Sequence, residues 1–157
     1  MDAIKILEEE HKHILKTIDM LERLLNKEKF TEKGIKELKF ISHVFIEAEN
    51  HHKREENVLF PAIEAKGIEG PTHVMRMEHD ELRLRKRNLA KLAKEFKQSN
   101  MDKINENGGF IIDVLRPHID KENNILYPMA RSVLSQKELK EIKAKFDKIG
   151  YCCFSPK

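Results

Sequence analysis

Apolar residues recur every three or four positions along four long stretches of this chain, and that spacing commits each stretch to an amphipathic helix with one buried face. The first runs from Ala3 to Leu25 through Ile4, Leu7, Ile14, Ile18, Leu21 and Leu25. The polar segment Asn26–Lys29 breaks it, and Thr31 is placed to cap a second helix with a stripe through Ile35, Leu38, Ile41, Val44, Ala48, Val58 and Ala62, ending near Gly67. Pro71 suits the first turn of a third helix, which carries Met75, Leu82, Leu89, Ala93 and Phe96 inward and stops at Gln98-Ser99-Asn100. A fourth begins near Asp102 and runs to about Val133, with Ile104, Ile111, Leu115, Ile125 and Met129 inward, although Gly108 and Gly109 weaken its first half. Ser135-Gln136-Lys137-Glu138 reads as a capping box for a short helix that ends at Gly150.

Four long helices joined by short links predict an all-α, up-down-up-down four-helix bundle with a short C-terminal helix. At 157 residues the chain is expected to form one domain. Residues 1–134 would be the bundle, and residues 135–157 would add the short helix and a cysteine-bearing tail. Three prolines interrupt the pattern: Pro61, Pro117 and Pro128 each remove a backbone donor and should bend or end a helix.

The buried stripes carry residues that do not belong in an apolar core. His11 lies four after Leu7 and three before Ile14, His51 and Glu55 interrupt the second stripe, His79 falls between Met75 and Leu82, and His118 and Glu122 fall between Leu115 and Ile125. Residues four apart share a helix face, about 6 Å apart along the axis. One buried histidine is ordinarily a satisfied core residue, but four histidines and two carboxylates buried without partners would cost more than a marginally stable domain can absorb. A bound metal resolves the conflict.

An internal echo sets the register. His51-x-x-x-Glu55 is followed by Leu59-Phe60-Pro61, and His118-x-x-x-Glu122 by Leu126-Tyr127-Pro128. The competing pair His52 and Glu56 lacks a full counterpart, because Asn123 stands opposite Glu56, so these two are expected outside the ligand set. Imidazole and carboxylate without thiolate suits iron, manganese or zinc. Six ligands exceed the four a lone zinc takes, and matched carboxylates on two helices suit a bridged pair of ions.

Glu10-His11, His51-His52-Lys53-Arg54-Glu55-Glu56-Asn57-Val58-Leu59-Phe60-Pro61, Glu78-His79-Asp80-Glu81-Leu82 and His118-Ile119-Asp120-Lys121-Glu122 together resemble the hemerythrin-like (HHE cation-binding) family, across residues 3–133. The resemblance implies a four-helix bundle holding two iron ions, Fe2+ or Fe3+, with carboxylate and oxo or hydroxo bridges, on His11, His51, Glu55, His79, His118 and Glu122. The oxygen-carrying members have a further histidine where this chain has Met75, and an aspartate where it has Asn123. That difference leaves one iron poorer in nitrogen ligands and puts reversible oxygen carriage in question.

The function this implies is a non-haem di-iron protein that binds or reacts with a small diatomic or peroxide (O2, NO or H2O2) for sensing, storage or detoxification. Ile14, Leu82, Leu115 and Ile125 would exclude bulk water, and no residue stands out as a catalytic acid or base. The alternative is iron storage, delivery or iron–sulfur repair using the Cys152-Cys153 tail. A ferritin-like oxidase fits less well, since those sites use Glu-x-x-His spacing. Adjacent cysteines are poorly placed to bridge each other, and an inert tail is the simpler reading of the pair. Charge adds little to the choice: 30 basic and 27 acidic residues leave +3, which points to no nucleic-acid partner. The densest basic run, Arg83, Arg85, Lys86 and Arg87, reads as a solvated helix face. No apolar run reaches the roughly 18 residues of a membrane span, and the N-terminus lacks a signal-peptide core, so a cytoplasmic protein is expected.

Overall fold

The computed structural model describes residues 1–157. It is all helical: α1 (Ala3–Leu25), α2 (Glu32–Glu47), α3 (Glu49–Arg54), α4 (Phe60–Glu64), α5 (Gly70–Lys94), α6 (Met101–Lys121), α7 (Tyr127–Val133) and α8 (Gln136–Ile149). Two π-helical turns, Glu55–Leu59 and Glu122–Leu126, join α3 to α4 and α6 to α7. Four rods result, and they pack as a closed ring in which α1 touches α2, α2 touches α5, α5 touches α6 and α6 returns to α1. That neighbour order is the up-down-up-down bundle. The short helix α8 lies against α1, α3 and the first π turn.

The helix ends follow from local chemistry. Asp2 Oδ1 accepts from the Lys5 amide at 2.8 Å and Thr31 Oγ1 from the Gly34 amide at 3.1 Å. At α8 the box closes both ways, with the Ser135 amide donating to Glu138 Oε2 at 2.7 Å and the Glu138 amide to Ser135 Oγ at 3.2 Å. Gly150 ends α8 with φ of +94°, a conformation glycine adopts without penalty. Gly108 weakens nothing visible. It sits where α6 crosses α1, and a Cβ there would fall 2.8 Å from Leu25 Cδ1.

The second and fourth rods depart from the expected continuous helices. The second tightens at Ala48, where the His51 amide reaches back only three residues to the Ala48 carbonyl, at 3.0 Å. Further on, both rods widen. The Phe60 amide bonds the Glu55 carbonyl and the Tyr127 amide bonds the Glu122 carbonyl, each five residues back. Pro61 and Pro128 follow directly, and their missing N–H and bulky rings favour the wider turn. Five residues before Pro61, the Glu56 carbonyl accepts instead from Arg76 Nη1 at 3.0 Å. By contrast, α6 runs on through Pro117 without ending.

Each π turn inserts one residue into the helical repeat and advances the buried stripe by one position. The expected inward residues Ile125 and Met129 give way to Leu126 and Ala130, and Ile125 is 55% exposed. In the second rod Leu59 and Ile63 take the fully buried places, while Ala62 is only half-buried.

The interior divides into two apolar clusters. One holds Ile14, Ile18, Ala48, Leu82, Leu115 and Ile119 among others, and the second holds Leu7, Leu59, Met75, Leu126 and Tyr127. His11, His51, Glu55, His79, His118 and Glu122 lie in sequence between members of the two clusters on every rod. The bundle is thus crossed by a polar band.

Candidate metal centre

All six residues picked out on the stripes meet in that band, and none is more than 1% exposed. They form two overlapping groups, each with ligand-capable atoms within 4.8 Å of one another: His11, His51, Glu55 and Glu122, and Glu55, His79, His118 and Glu122. Both carboxylates belong to both groups. Glu55 Oε1 lies 3.5 Å from His51 Nε2 and its Oε2 lies 3.3 Å from His79 Nε2. Glu122 Oε2 lies 3.1 Å from His11 Nε2 and its Oε1 lies 3.0 Å from His118 Nε2.

The outward nitrogens explain why every Nε2 turns inward. His11 Nδ1 is held by Asn123 Oδ1 at 2.7 Å, His51 Nδ1 by Glu10 Oε2 at 2.7 Å, His79 Nδ1 by Glu56 Oε1 at 2.7 Å and His118 Nδ1 by Glu78 Oε2 at 3.4 Å. An acceptor at Nδ1 places the proton there and leaves the Nε2 lone pair free, the arrangement metal-binding histidines use. His79 Nε2 and His118 Nε2 then face each other 3.0 Å apart, a separation that two lone pairs tolerate only with a proton or a cation between them.

Three of the four carboxylate oxygens, Glu55 Oε2 and both oxygens of Glu122, have no hydrogen-bond donor; their short contacts to imidazole lack hydrogen-bond geometry. Only Glu55 Oε1 has one, the Tyr127 hydroxyl at 2.6 Å. Orphaned buried carboxylate oxygens are rare and costly, and a divalent cation is the partner that suits them. The donor set, four imidazole nitrogens and two carboxylates without sulfur, therefore fits metal.

The buried carboxylates also act on the imidazoles beside them. Burial presses the His51 and His118 imidazoles toward neutrality. The carboxylates of Glu55 and Glu10 nevertheless raise His51 to about 9, and those of Glu122 and Glu78 raise His118 to about 10. Burial likewise opposes ionisation of Glu55, yet the neighbouring His51 holds its carboxyl well below the usual range.

Around the band, several residues hold positions that the stripes did not assign. Glu10 is fully buried and accepts from Arg54 Nη2 through both oxygens at 2.7 Å, while it also takes the Ser155 hydroxyl. Arg54 is itself fully buried, with its guanidinium 4.8 Å from the Tyr151 ring and 5.4 Å from the Phe146 ring. Glu10 lies three after Leu7 and Arg54 three after His51, so helical spacing already set both on the inner face. His52 is buried outside the six, stacked on His79 at 4.0 Å, and burial keeps it neutral. Asn123 faces His11 from outside, and Met75 joins the second apolar cluster. Ile14, Leu82 and Leu115 cover the band on one side, whereas Ile125 lies at the surface and Leu126 takes its place. Glu8, one turn before His11, pairs with Lys5 and Arg131 at the surface.

The chain matches the model of the hemerythrin HHE cation binding domain over residues 2–130. It belongs to this family. Among relatives of this hemerythrin-domain protein is the iron-sulfur cluster repair protein YtfE of Escherichia coli O157:H7, 35% identical over 100 residues. The match covers 59% of this chain and 46% of that relative, so the chain spans under half the length of the protein it resembles. Its two cysteines are free; Cys152 is buried and Cys153 is exposed. Burial pushes the Cys152 thiol up to about 11, although Arg54 Nη2 lies 3.7 Å from its sulfur. No helix is long and apolar enough to cross a membrane.

Proposed function

We propose that this hemerythrin-domain chain holds two iron ions on His11, His51, Glu55, His79, His118 and Glu122, and uses them to bind or react with a small diatomic or peroxide. The observation that carries the reading is the sharing of Glu55 and Glu122 between two histidine pairs, each carboxylate turning one oxygen to either pair. Such a pair of carboxylates would hold an ion at each of two positions, with two imidazoles beside each. Bound iron would supply reversible electron transfer and Lewis acidity at those positions.

The chain's own part is positioning and exclusion. Asn123, Glu10, Glu56 and Glu78 hold the imidazoles at Nδ1, and Tyr127 holds Glu55 by its Oε1. Apolar clusters above and below keep the band dry, which favours a ligand no larger than a few atoms. Metal analysis together with the ultraviolet-visible spectrum tests the reading. About two irons per chain are expected, with a spectral change when the reduced protein meets O2 or NO. Substantially less iron, or a spectrum indifferent to both gases, overturns it.

The likeness to YtfE favours a second reading, repair of iron–sulfur clusters. Here the protein would deliver iron to a damaged cluster, with Cys153 as the accessible thiol. Restored activity of a cluster-damaged dehydratase on addition of the iron-loaded protein supports it, and loss of that restoration in Cys153→Ser assigns the thiol a part.

A further inference from the structure

A charged residue outside the metal band also occupies a buried stripe. The buried stripe of α5 runs Met75, His79, Leu82, Lys86, Leu89 and Ala93, and Lys86 stands where an apolar side chain belongs. The basic run around it reads in the sequence as a solvated face, but Lys86 is only 4% exposed. Its ammonium makes no hydrogen bond and no ion pair, and it stands 5.8 Å from the centroid of the Phe45 ring. The side chain is buried along its length while its ammonium opens on a cavity, where an anion can reach it.

Lys86 lines a cavity of about 290 Å³ between the second rod and α5, together with Phe45, Ile46, Glu49, Lys53, Arg83 and Arg87. The charges there do not balance. Glu49 is taken by Arg83 Nε at 2.9 Å, and Arg83 also reaches Glu56 through Nη2 at 2.8 Å. Lys53, Lys86 and Arg87 are left with no carboxylate in ion-pair range, one from the floor of the cavity and two from its rim. We propose that this cavity is a binding site for a small oxyanion of phosphate or carboxylate type, seated on Lys86 with Lys53 and Arg87 at its mouth and Phe45 as its apolar wall. The site lies outside the six metal-binding candidates and stands whichever metal they hold. Burial lowers the Lys86 amine to about 8, against the pull of Glu49, so near neutral pH it remains largely protonated and able to receive an anion.

Titration calorimetry of the metal-loaded chain with inorganic phosphate and with acetate, against chloride at matched ionic strength, tests this. Saturable one-site binding of phosphate or acetate is expected, and the stronger of the two names the ligand class. Lys86→Met keeps the volume and helix preference while removing the charge. It should weaken that binding at least tenfold, with iron content and the metal spectrum unchanged and thermal stability equal or higher. The exposed double variant Lys53→Gln/Arg87→Gln, which leaves the core untouched, should weaken it several-fold. No saturable binding of either anion, or binding that both variants leave intact, overturns the proposal.

Discussion

Glu55 and Glu122 are unlike the four histidines because each serves both halves of the band. In Glu122→Gln metal binding is therefore expected to weaken at both positions by at least the roughly 10–100-fold that outer partners alone cause. His11→Ala should spare the His79 and His118 half and leave about half the wild-type metal. Metal analysis of the two variants side by side decides, and equal losses would speak against shared carboxylates. Tyr127 offers a second test. In the metal-free chain its hydroxyl is the one donor to Glu55 Oε1, so Tyr127→Phe should cost about 1–3 kcal/mol, measured by denaturant unfolding. With metal bound, the carboxylate has another partner and the cost should shrink. An equal cost in both forms would mean that metal does not reach Glu55.

At the scale of the element, the two π turns begin at the two carboxylates and end just before the two prolines, so each rod changes its pitch at the point where it turns a glutamate into the band. Widened turns are weaker than α-helical ones and persist where a side chain has to be aimed. Asn124 is an exposed residue within the second π turn. Deleting it would return that turn to an ordinary α repeat while keeping Leu126 and Ala130 inward. We expect the deletion variant to retain its helical circular dichroism and bind markedly less metal. Undiminished metal content would show that the π geometry has no part in placing Glu122.

For the whole molecule, the band separates two apolar cores, and the charge within it decides whether they cohere. His51 and His118 have pKa values raised above their unfolded value near 6.5, to about 9 and about 10. Their contribution to stability is therefore fully present below about 6.5 and is lost as pH climbs through 9 and 10. Between about pH 7 and about pH 10 the metal-free chain should lose thermal stability, while the metal-loaded chain, whose imidazoles are already deprotonated, should hold its midpoint. Calorimetric scans of both forms check this. A midpoint of the metal-free chain that stays level or rises across that window contradicts the account.

Much of this molecule was written into its periodicity. Helix existence, the capping residues Thr31 and Ser135, the bundle and all six band residues follow from a polar side chain standing where a 3.6-residue repeat demands an apolar one. The same rule, applied to Glu10, Arg54 and Lys86, would have found them too, although a charged residue on a stripe reads as surface until its neighbours are known. What the sequence could not supply were quantities that depend on several rods at once. The π turns arise where proline meets a packed interface, and they moved Ile125 to the surface and Leu126 inward. The acceptors behind each imidazole come from other helices, as Asn123 does for His11, and Cys152 is buried where the tail lies against Arg54. Local spacing chooses the face of a helix; the pitch of the packed rods decides which atom arrives there.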